Sequence, residues 1–178
     1  SQTVTVNTMT DSKVELDETF SATLGSLVTG GRSVSISGVS GTATGTITND
    51  DAAIFSIAGA SATEGGSLTF TITLTGLVDV STSVTFSTVD GTATAADADF
   101  TAIGSQVVTF TSGQTSQTVT VNSTTDSKVE LDESFTASLS SASSGGRNVT
   151  ISGANGAATG TIVNNDSAVF SMTGGGTV

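Results

Sequence analysis

The feature that most constrains this chain is an internal repeat of domain size. The heptapeptide SQTVTVN at residues 1–7 recurs at 116–122, and the octapeptide DSKVELDE at 11–18 recurs unchanged at 126–133. The pentapeptide ATGTI at 43–47 returns at 158–162. These pairs share one offset of 115 residues, without a gap. A fixed period of this size indicates an array of similar domains, each with its own core, rather than a solenoid of short units.

The 178 residues hold about one and a half periods of this repeat. We predict that residues 1–51 are the C-terminal half of one repeat, that 52–166 form a complete repeat, and that 167–178 contain the first strand of the next. A half-domain leaves its apolar face without a partner. Residues 1–51 are therefore expected to supply the last three strands of a sandwich whose other strands lie outside this segment or in a neighbouring chain.

Composition and charge exclude several functional classes. Four basic and sixteen acidic residues give a net charge of −12, which argues against nucleic-acid binding. The chain contains no Cys and no His, so thiolate and imidazole metal sites are excluded and no base is visible for a Ser or Thr nucleophile. No apolar run is long enough to cross a bilayer. An enzyme is not predicted; a two-carboxylate glycosidase is the one catalytic alternative, and it is disfavoured because the acids recur with the repeat.

The complete repeat alternates apolar and polar residues in seven short segments between turn signals. Strands are predicted at residues 54–57, 68–74, 84–86, 108–110, 119–121, 135–139 and 158–163, and 149–151 is expected to extend the final hairpin through an Asn-Gly turn. This pattern predicts an all-β fold, an Ig-like antiparallel β-sandwich. The predicted core comprises Phe70, Ile72, Phe86, Phe110, Val119, Phe135 and Leu139.

The acidic residues of the complete repeat concentrate in four predicted connections. They are Glu64, the pair Asp97 and Asp99, the stretch 126–133, and Asp166. Connections before strand two, after strand three, after strand five and after strand seven lie at one end of an Ig-like sandwich, so these carboxylates are expected to converge. Crowded carboxylates repel unless a cation lies among them, and an all-oxygen set on loops suits Ca²⁺ better than Mg²⁺. From the residues alone, a solvated acidic rim is an equally good interpretation.

The order of motifs in the complete repeat resembles a Calx-β domain. The matching stretches are ATEGG at 62–66, DGTATAADADF at 90–100, VTF at 108–110, TVTV at 118–121, DSKVELDESF at 126–135 and ATGTIVNND at 158–166. This family is known from the calcium-sensing region of sodium/calcium exchangers, from an integrin subunit and from large secreted bacterial repeat proteins. The resemblance implies a sandwich that binds Ca²⁺.

The resemblance also implies which residues bind the metal. In the complete repeat they are Glu64, Asp99, Asp126, the backbone carbonyl near Lys128, Glu130, Glu133, Asn165 and Asp166, and in the first copy they are Asp11, Glu15, Glu18, Asp50 and Asp51. The family often ends in three Asp residues, whereas this chain has Asn164 and Asn165 before Asp166. An Asn contributes a carbonyl oxygen without charge, so fewer or weaker sites are expected in the second copy.

Three functions are compatible with these patterns. The leading prediction is a calcium-stiffened structural repeat of a long extracellular or cell-surface protein of a bacterium, either an adhesin stalk or a filament. Its predicted partners are neighbouring repeats of the same chain or neighbouring chains in a fibre. The alternatives are a calcium-sensing regulatory domain and a ligand-binding adhesin module. Asp51 and Asp166 directly precede the following repeat, so a metal ion there would lie at the junction between domains.

Overall fold

Residues 53–163 form a two-sheet β-sandwich in the computed structural model, which describes residues 2–38 and 40–176. The strands of this unit are β4 (Ala53–Ile57), β5 (Ala60–Thr63), β6 (Ser67–Thr75), β7 (Leu77–Val78), β8 (Thr82–Val89), β9 (Gln106–Phe110), β10 (Ser116–Asn122), β11 (Glu133–Ser143), β12 (Val149–Ile151) and β13 (Ala157–Val163). One sheet has the order β10-β6-β4-β12 and the other β5-β13-β11-β8-β9. The described residues contain no helix, and hence none that could span a membrane.

Strict alternation along each strand gives the sandwich one buried face per sheet. In β6 the side chains of Leu68, Phe70, Ile72 and Leu74 are buried, and the threonines between them are mostly exposed. A one-residue shift of register would turn all four to solvent, so the burial of this set fixes the pairing of β6 with β4 and β10. All seven residues predicted from the sequence to form the core are buried, which confirms the assigned register.

Two features of the sandwich differ from the prediction. β12 does not extend the final hairpin; it pairs in parallel with β4 in the opposite sheet, where the Ser152 N–H donates to the Phe55 carbonyl over 2.8 Å. The first predicted strand is present as β4, which pairs with β6, but it is followed by β5, which was not predicted and which crosses to the other sheet and pairs in parallel with β13. The sandwich is therefore antiparallel in its centre and carries a parallel strand at one edge of each sheet.

The first copy of the repeat preserves the final hairpin of the second. It contains β1 (Lys13–Val14), β2 (Glu18–Thr23) and β3 (Thr42–Ile47). β2 and β3 pair from Glu18 opposite Ile47 onwards, and β11 and β13 pair from Glu133 opposite Ile162, so the register repeats with the sequence. Residues 2–7 form no strand, although the same residues form β10 in the second copy, where β6 provides the pairing partner. Residues 167–176 also form no strand.

Candidate metal centre

The four acidic connections of the second copy meet at one end of the sandwich. Six carboxylates form two groups there, and within each group one oxygen per residue lies within 4.8 Å of the others. The first group is Glu64, Asp126 and Asp166, and the second is Asp99, Glu130 and Glu133. Five of these six residues, all except Asp166, border a cavity of about 150 Å³ to which Asp97 and Lys128 also contribute. The convergence expected from the sequence is thus present, but as two groups side by side.

Glu64 is positioned by a glycine turn between β5 and β6. The Glu64 N–H donates to the Val163 carbonyl over 3.1 Å, and the Gly65 N–H donates to the Thr124 carbonyl over 3.2 Å, so the turn is attached to the ends of β13 and β10. Gly65 has a φ of +73°, which a residue with a side chain adopts only with strain. The sequence Glu-Gly-Gly therefore fixes the direction in which the Glu64 carboxylate leaves the backbone.

Two carboxylate oxygens of the first group lack any hydrogen-bond partner. They are Oε2 of Glu64 and Oδ2 of Asp166, and both atoms are buried. Burial raises the pKa of the Glu64 carboxyl, and the neighbouring charges of Asp166 and Asp126 raise it further. Buried oxygens without a donor are rare in folded proteins, and a cation is a physical reason to retain them. Because a cation would satisfy both oxygens, this set of carboxylates fits a metal ion.

The second group is held by an aromatic stack beneath it. Asp99 accepts a 2.7 Å hydrogen bond from the Thr94 N–H and its carbonyl accepts one of 2.9 Å from Thr124. The next residue, Phe100, packs face to face on Phe135 with ring centroids 4.2 Å apart. Phe135 lies two residues after Glu133, so this ring pair fixes Asp99 relative to Glu133. Burial raises the pKa of Glu133, with Asp99 and Glu130 adding to the effect.

Lys128 lies between the two groups. Its ammonium contacts Asp126 Oδ2 at 3.2 Å and Glu130 Oε1 at 3.4 Å, one oxygen from each group. The Lys128 N–H also donates to Asp126 Oδ1 over 2.7 Å, and this bond, more than the ammonium, lowers the pKa of Asp126. One half-exposed ammonium leaves most of the charge of six carboxylates uncompensated. The predicted contribution of the Lys128 backbone carbonyl stays a prediction.

Asn164 is a positioning residue that the sequence analysis did not identify. Its Oδ1 accepts from the Glu130 N–H over 3.4 Å, and its Nδ2 donates to the Asp166 carbonyl over 3.1 Å, so one side chain joins two acidic segments. Asn49 makes the same two bonds in the first copy, to Glu15 and Asp51. The recurrence of Asn at an offset of 115 residues was the sequence signal that could have identified this role. Asn165 is exposed, and its amide donates to the Glu64 carbonyl over 3.4 Å, so its predicted role as a ligand stays a prediction.

The acids of the first copy line a single cavity of about 130 Å³. The five residues predicted as ligands all border it, namely Asp11, Glu15, Glu18, Asp50 and Asp51. Burial raises the pKa of Asp51, followed by the charges of Asp50 and Asp11. In the part of the chain that the structure describes, this cavity holds no group of three carboxylates as compact as those of the second copy. Residues 2–51 contain no counterparts of Glu64 and Asp99.

Comparisons with known proteins agree with this fold. The Calx-beta domain family matches residues 1–51 and 54–166. A search of curated proteins returned no match. Among solved structures, the chain resembles the apo-form Calx CBD1 domain at 24% identity and a TM-score of 0.58, over 65% of this chain and 100% of that one.

Two further solved structures also resemble the chain. CBD12 from CALX1.2 is 25% identical with a TM-score of 0.57, over 64% of this chain and 44% of that one. The calcium binding domain CBD12 of CALX1.1 is 26% identical with a TM-score of 0.53, over 61% and 43%. This chain thus spans less than half the length of either CBD12 structure. Since the family match covers most of both copies of the repeat, the chain belongs to the Calx-beta domain family.

Proposed function

We propose that this chain is a calcium-binding structural segment of a long extracellular repeat protein, in which the metal stiffens the junctions between repeats. The observation that carries the proposal is the pair of carboxylate groups with two buried oxygens that no donor satisfies. A resemblance of 26% to a protein described as a calcium binding domain supports the choice of metal. No catalytic role is proposed.

The donor set favours Ca²⁺ over other cations. All six side chains of the two groups offer oxygens; five of them lie in loops or turns, and Glu133 is the first residue of β11. Ca²⁺ accepts six to eight oxygen ligands in variable geometry, whereas Mg²⁺ requires a near-octahedral set at short distance. Residues from four separate connections can satisfy the first requirement more easily than the second. We propose Glu64, Asp99, Asp126, Glu130, Glu133 and Asp166 as the ligands in the second copy.

A structural role is supported by the position of the sites in the repeat. Asp51 and Asp166 end their copies, and the connection from Asp51 to β4 is a single residue long, with no Pro-rich or Gly/Ser-rich linker. An ion at such a place would restrain the chain where one repeat meets the next. We propose repeat boundaries at 51/52 and 166/167, and an array outside the cell, where calcium is abundant.

Thermal unfolding of the whole chain in EGTA, in CaCl₂ and in MgCl₂ tests the proposal. A ligand at a hundredfold excess over its Kd stabilises the folded state by about 2.7 kcal/mol. For a unit of this size we expect a rise in Tm of roughly ten degrees with calcium and a small rise with magnesium. Calorimetric titration should show binding over the same concentration range.

Matched variants separate a specific site from general screening of charge. The double substitution Glu130→Gln with Glu133→Gln should remove most of the calcium-dependent rise. A control pair outside the predicted ligands, Asp17→Asn with Asp90→Asn, removes the same charge and should retain most of the rise. If calcium leaves Tm unchanged, or if both pairs of substitutions act alike, the acids are a solvated rim and the proposal is wrong.

A calcium-sensing role is the second candidate, favoured by the similarity to a structure described as a calcium binding domain. A sensor is expected in one or two copies attached to an effector, whereas a stalk is expected in many copies. The number of repeats in the complete gene distinguishes the two roles.

A further inference from the structure

The first copy of the repeat docks on the second through a short apolar segment. β1 (Lys13–Val14) lies parallel to β7 (Leu77–Val78), and the Asp79 N–H donates to the Val14 carbonyl over 3.3 Å. Val14 is 0% exposed and belongs to the same buried cluster as the core of the second copy. This segment of the first copy is therefore part of the core of the second copy.

Charges and one further apolar contact surround this docked segment. Arg147 binds Asp79 through two hydrogen bonds of 2.8 Å, and this ion pair lies within electrostatic range of Glu15 and Lys13. Leu16 reaches the glycine turn before Arg147, where its Cδ2 lies 3.7 Å from the position that a side chain on Gly146 would take. The second copy thus presents an apolar strand beside an ion pair, and the first copy inserts Val14 and Leu16 against it.

The same segment occurs again in the second copy, where its apolar side chains are exposed. Residues 126–133 are identical to 11–18, yet Val129 is 55% and Leu131 is 85% exposed, compared with 0% for Val14 and 48% for Leu16. The two segments share a local turn, in which the backbone N–H groups of Lys13 and Lys128 donate to Asp11 and Asp126 over 2.9 and 2.7 Å. The two segments differ in what lies opposite them.

We propose that the exposed segment Lys128–Val129, together with Leu131, is the docking surface for a further repeat of this type. Its occupant is the strand equivalent to β7 with its Asp79–Arg147 ion pair, because that surface already accepts an identical octapeptide within this chain. The backbone at the end of the first copy and at the end of the second copy is also held in the same way. Asn49 and Asn164 bind the carbonyls of Asp51 and Asp166 in the same way, so a repeat that follows residue 166 starts in the orientation that residue 52 has.

The inference rests on the repeat-array part of the proposed function and does not require calcium. It can be tested in a protein with an added repeat, residues 1–166 followed by a second copy of 52–178, which preserves the natural junction. Ser81→Thr in the added copy gives its peptide around residues 77–79 a distinct mass. Hydrogen exchange of that peptide, measured in EGTA and in calcium, then reports whether the new β7 is covered.

Substitutions at the two equivalent valines make the test specific. Val129→Ser in the extended protein should accelerate exchange of the added 77–79 peptide roughly tenfold and leave the original one unchanged. Val14→Ser should do the reverse. In the 178-residue chain Val129→Ser should alter neither exchange nor Tm, which shows that the substituted chain folds.

A disulfide provides a second measurement, since the chain has no cysteine of its own. Val129→Cys paired with Val78→Cys in the added copy should oxidise to an intramolecular bond. The inference would be overturned if the added 77–79 peptide exchanged rapidly whatever residue stood at position 129, and if this disulfide formed neither in EGTA nor in calcium. A bond formed only between separate chains would overturn it too, since the occupant would then be a neighbouring molecule. If the contact forms but calcium does not bind, the inference stands and the calcium proposal fails.

Discussion

The stacked rings of Phe100 and Phe135 offer a way to separate the stability of the sandwich from the geometry of its acidic end. Both rings are buried, their centroids are 4.2 Å apart and their planes differ by 16°. Phe100 directly follows Asp99, and Phe135 follows Glu133 by two residues. We predict that Phe100→Leu lowers both the stability of the metal-free chain and its affinity for calcium.

The magnitude follows from the contacts that the substitution removes. Loss of a favourable aromatic pair costs about 1 kcal/mol, and the volume that leucine leaves unfilled costs about another 1 kcal/mol. At about 4 °C per kcal/mol for a unit of this size, Tm in EGTA should fall by roughly 8 °C. If Asp99 is then free to shift, a tenfold weaker Kd would remove about 1.4 kcal/mol of the stabilisation by calcium.

Phe110→Leu is the matched control. Phe110 is also buried and contacts Phe55 with ring centroids 5.2 Å apart, but it ends β9 opposite Thr82, at the end of the sandwich away from the acids. This substitution should lower Tm by a similar amount and leave the calcium-dependent rise intact. The assay is differential scanning calorimetry with and without calcium. Equal loss of the calcium effect in both variants would refute the claim that the ring stack positions the ligands.

Two further predictions concern pH and packing. Burial raises the folded-state pKa of Glu64 and Glu133 above the ordinary value of 4.5, so the metal-free folded chain retains protons that the unfolded chain releases. The free energy of unfolding should therefore fall as pH rises from 4.5 through the raised pKa values, and calcium should remove this dependence. Urea denaturation at pH 4.5 to 7.5 measures the free energy of unfolding. A value that is independent of pH in the metal-free chain would contradict the prediction. Gly160→Ala should cost about 1 to 3 kcal/mol in the same assay, because the added Cβ would lie 2.5 Å from Phe135 Cζ. Gly153→Ala, which meets nothing within 4 Å, should cost under about 0.5 kcal/mol.

The sequence predicted those parts of the fold that depend on local alternation. The apolar positions of β6 are unmistakable at strand period, and their burial follows from it. The partners of β5 and β12 were not predictable in this way. Ala60–Thr63 has no large apolar side chain, and Val149–Ile151 fits either sheet by pattern, so the long-range pairing decides where each strand lies. An Asn-Gly pair favours a tight turn but does not determine which strand the preceding residues join.

The acidic end was predictable as a region and not as an arrangement. Connections at one end of a sandwich converge because of the topology, so the residue types and their order were sufficient to bring the acids together. The division into two groups depends on side-chain directions that Gly65, Asn164 and the Phe100–Phe135 stack determine. Each of these is a contact between distant segments, and no spacing rule encodes it.

If both proposals hold, residues 126–133 would bind a metal ion and also contact the next repeat, and this would connect metal binding to assembly. Asp126, Glu130 and Glu133 point into the acidic groups, whereas Val129 and Leu131 are exposed on the same short segment. In the first copy the equivalent valine is buried in the next repeat. Because acids and apolar residues are interleaved along one stretch of backbone, a cation that fixes the acids also fixes the apolar side chains between them. Binding at the end of one repeat would then reduce the conformational entropy lost when the next repeat docks, and by thermodynamic reciprocity docking would favour binding.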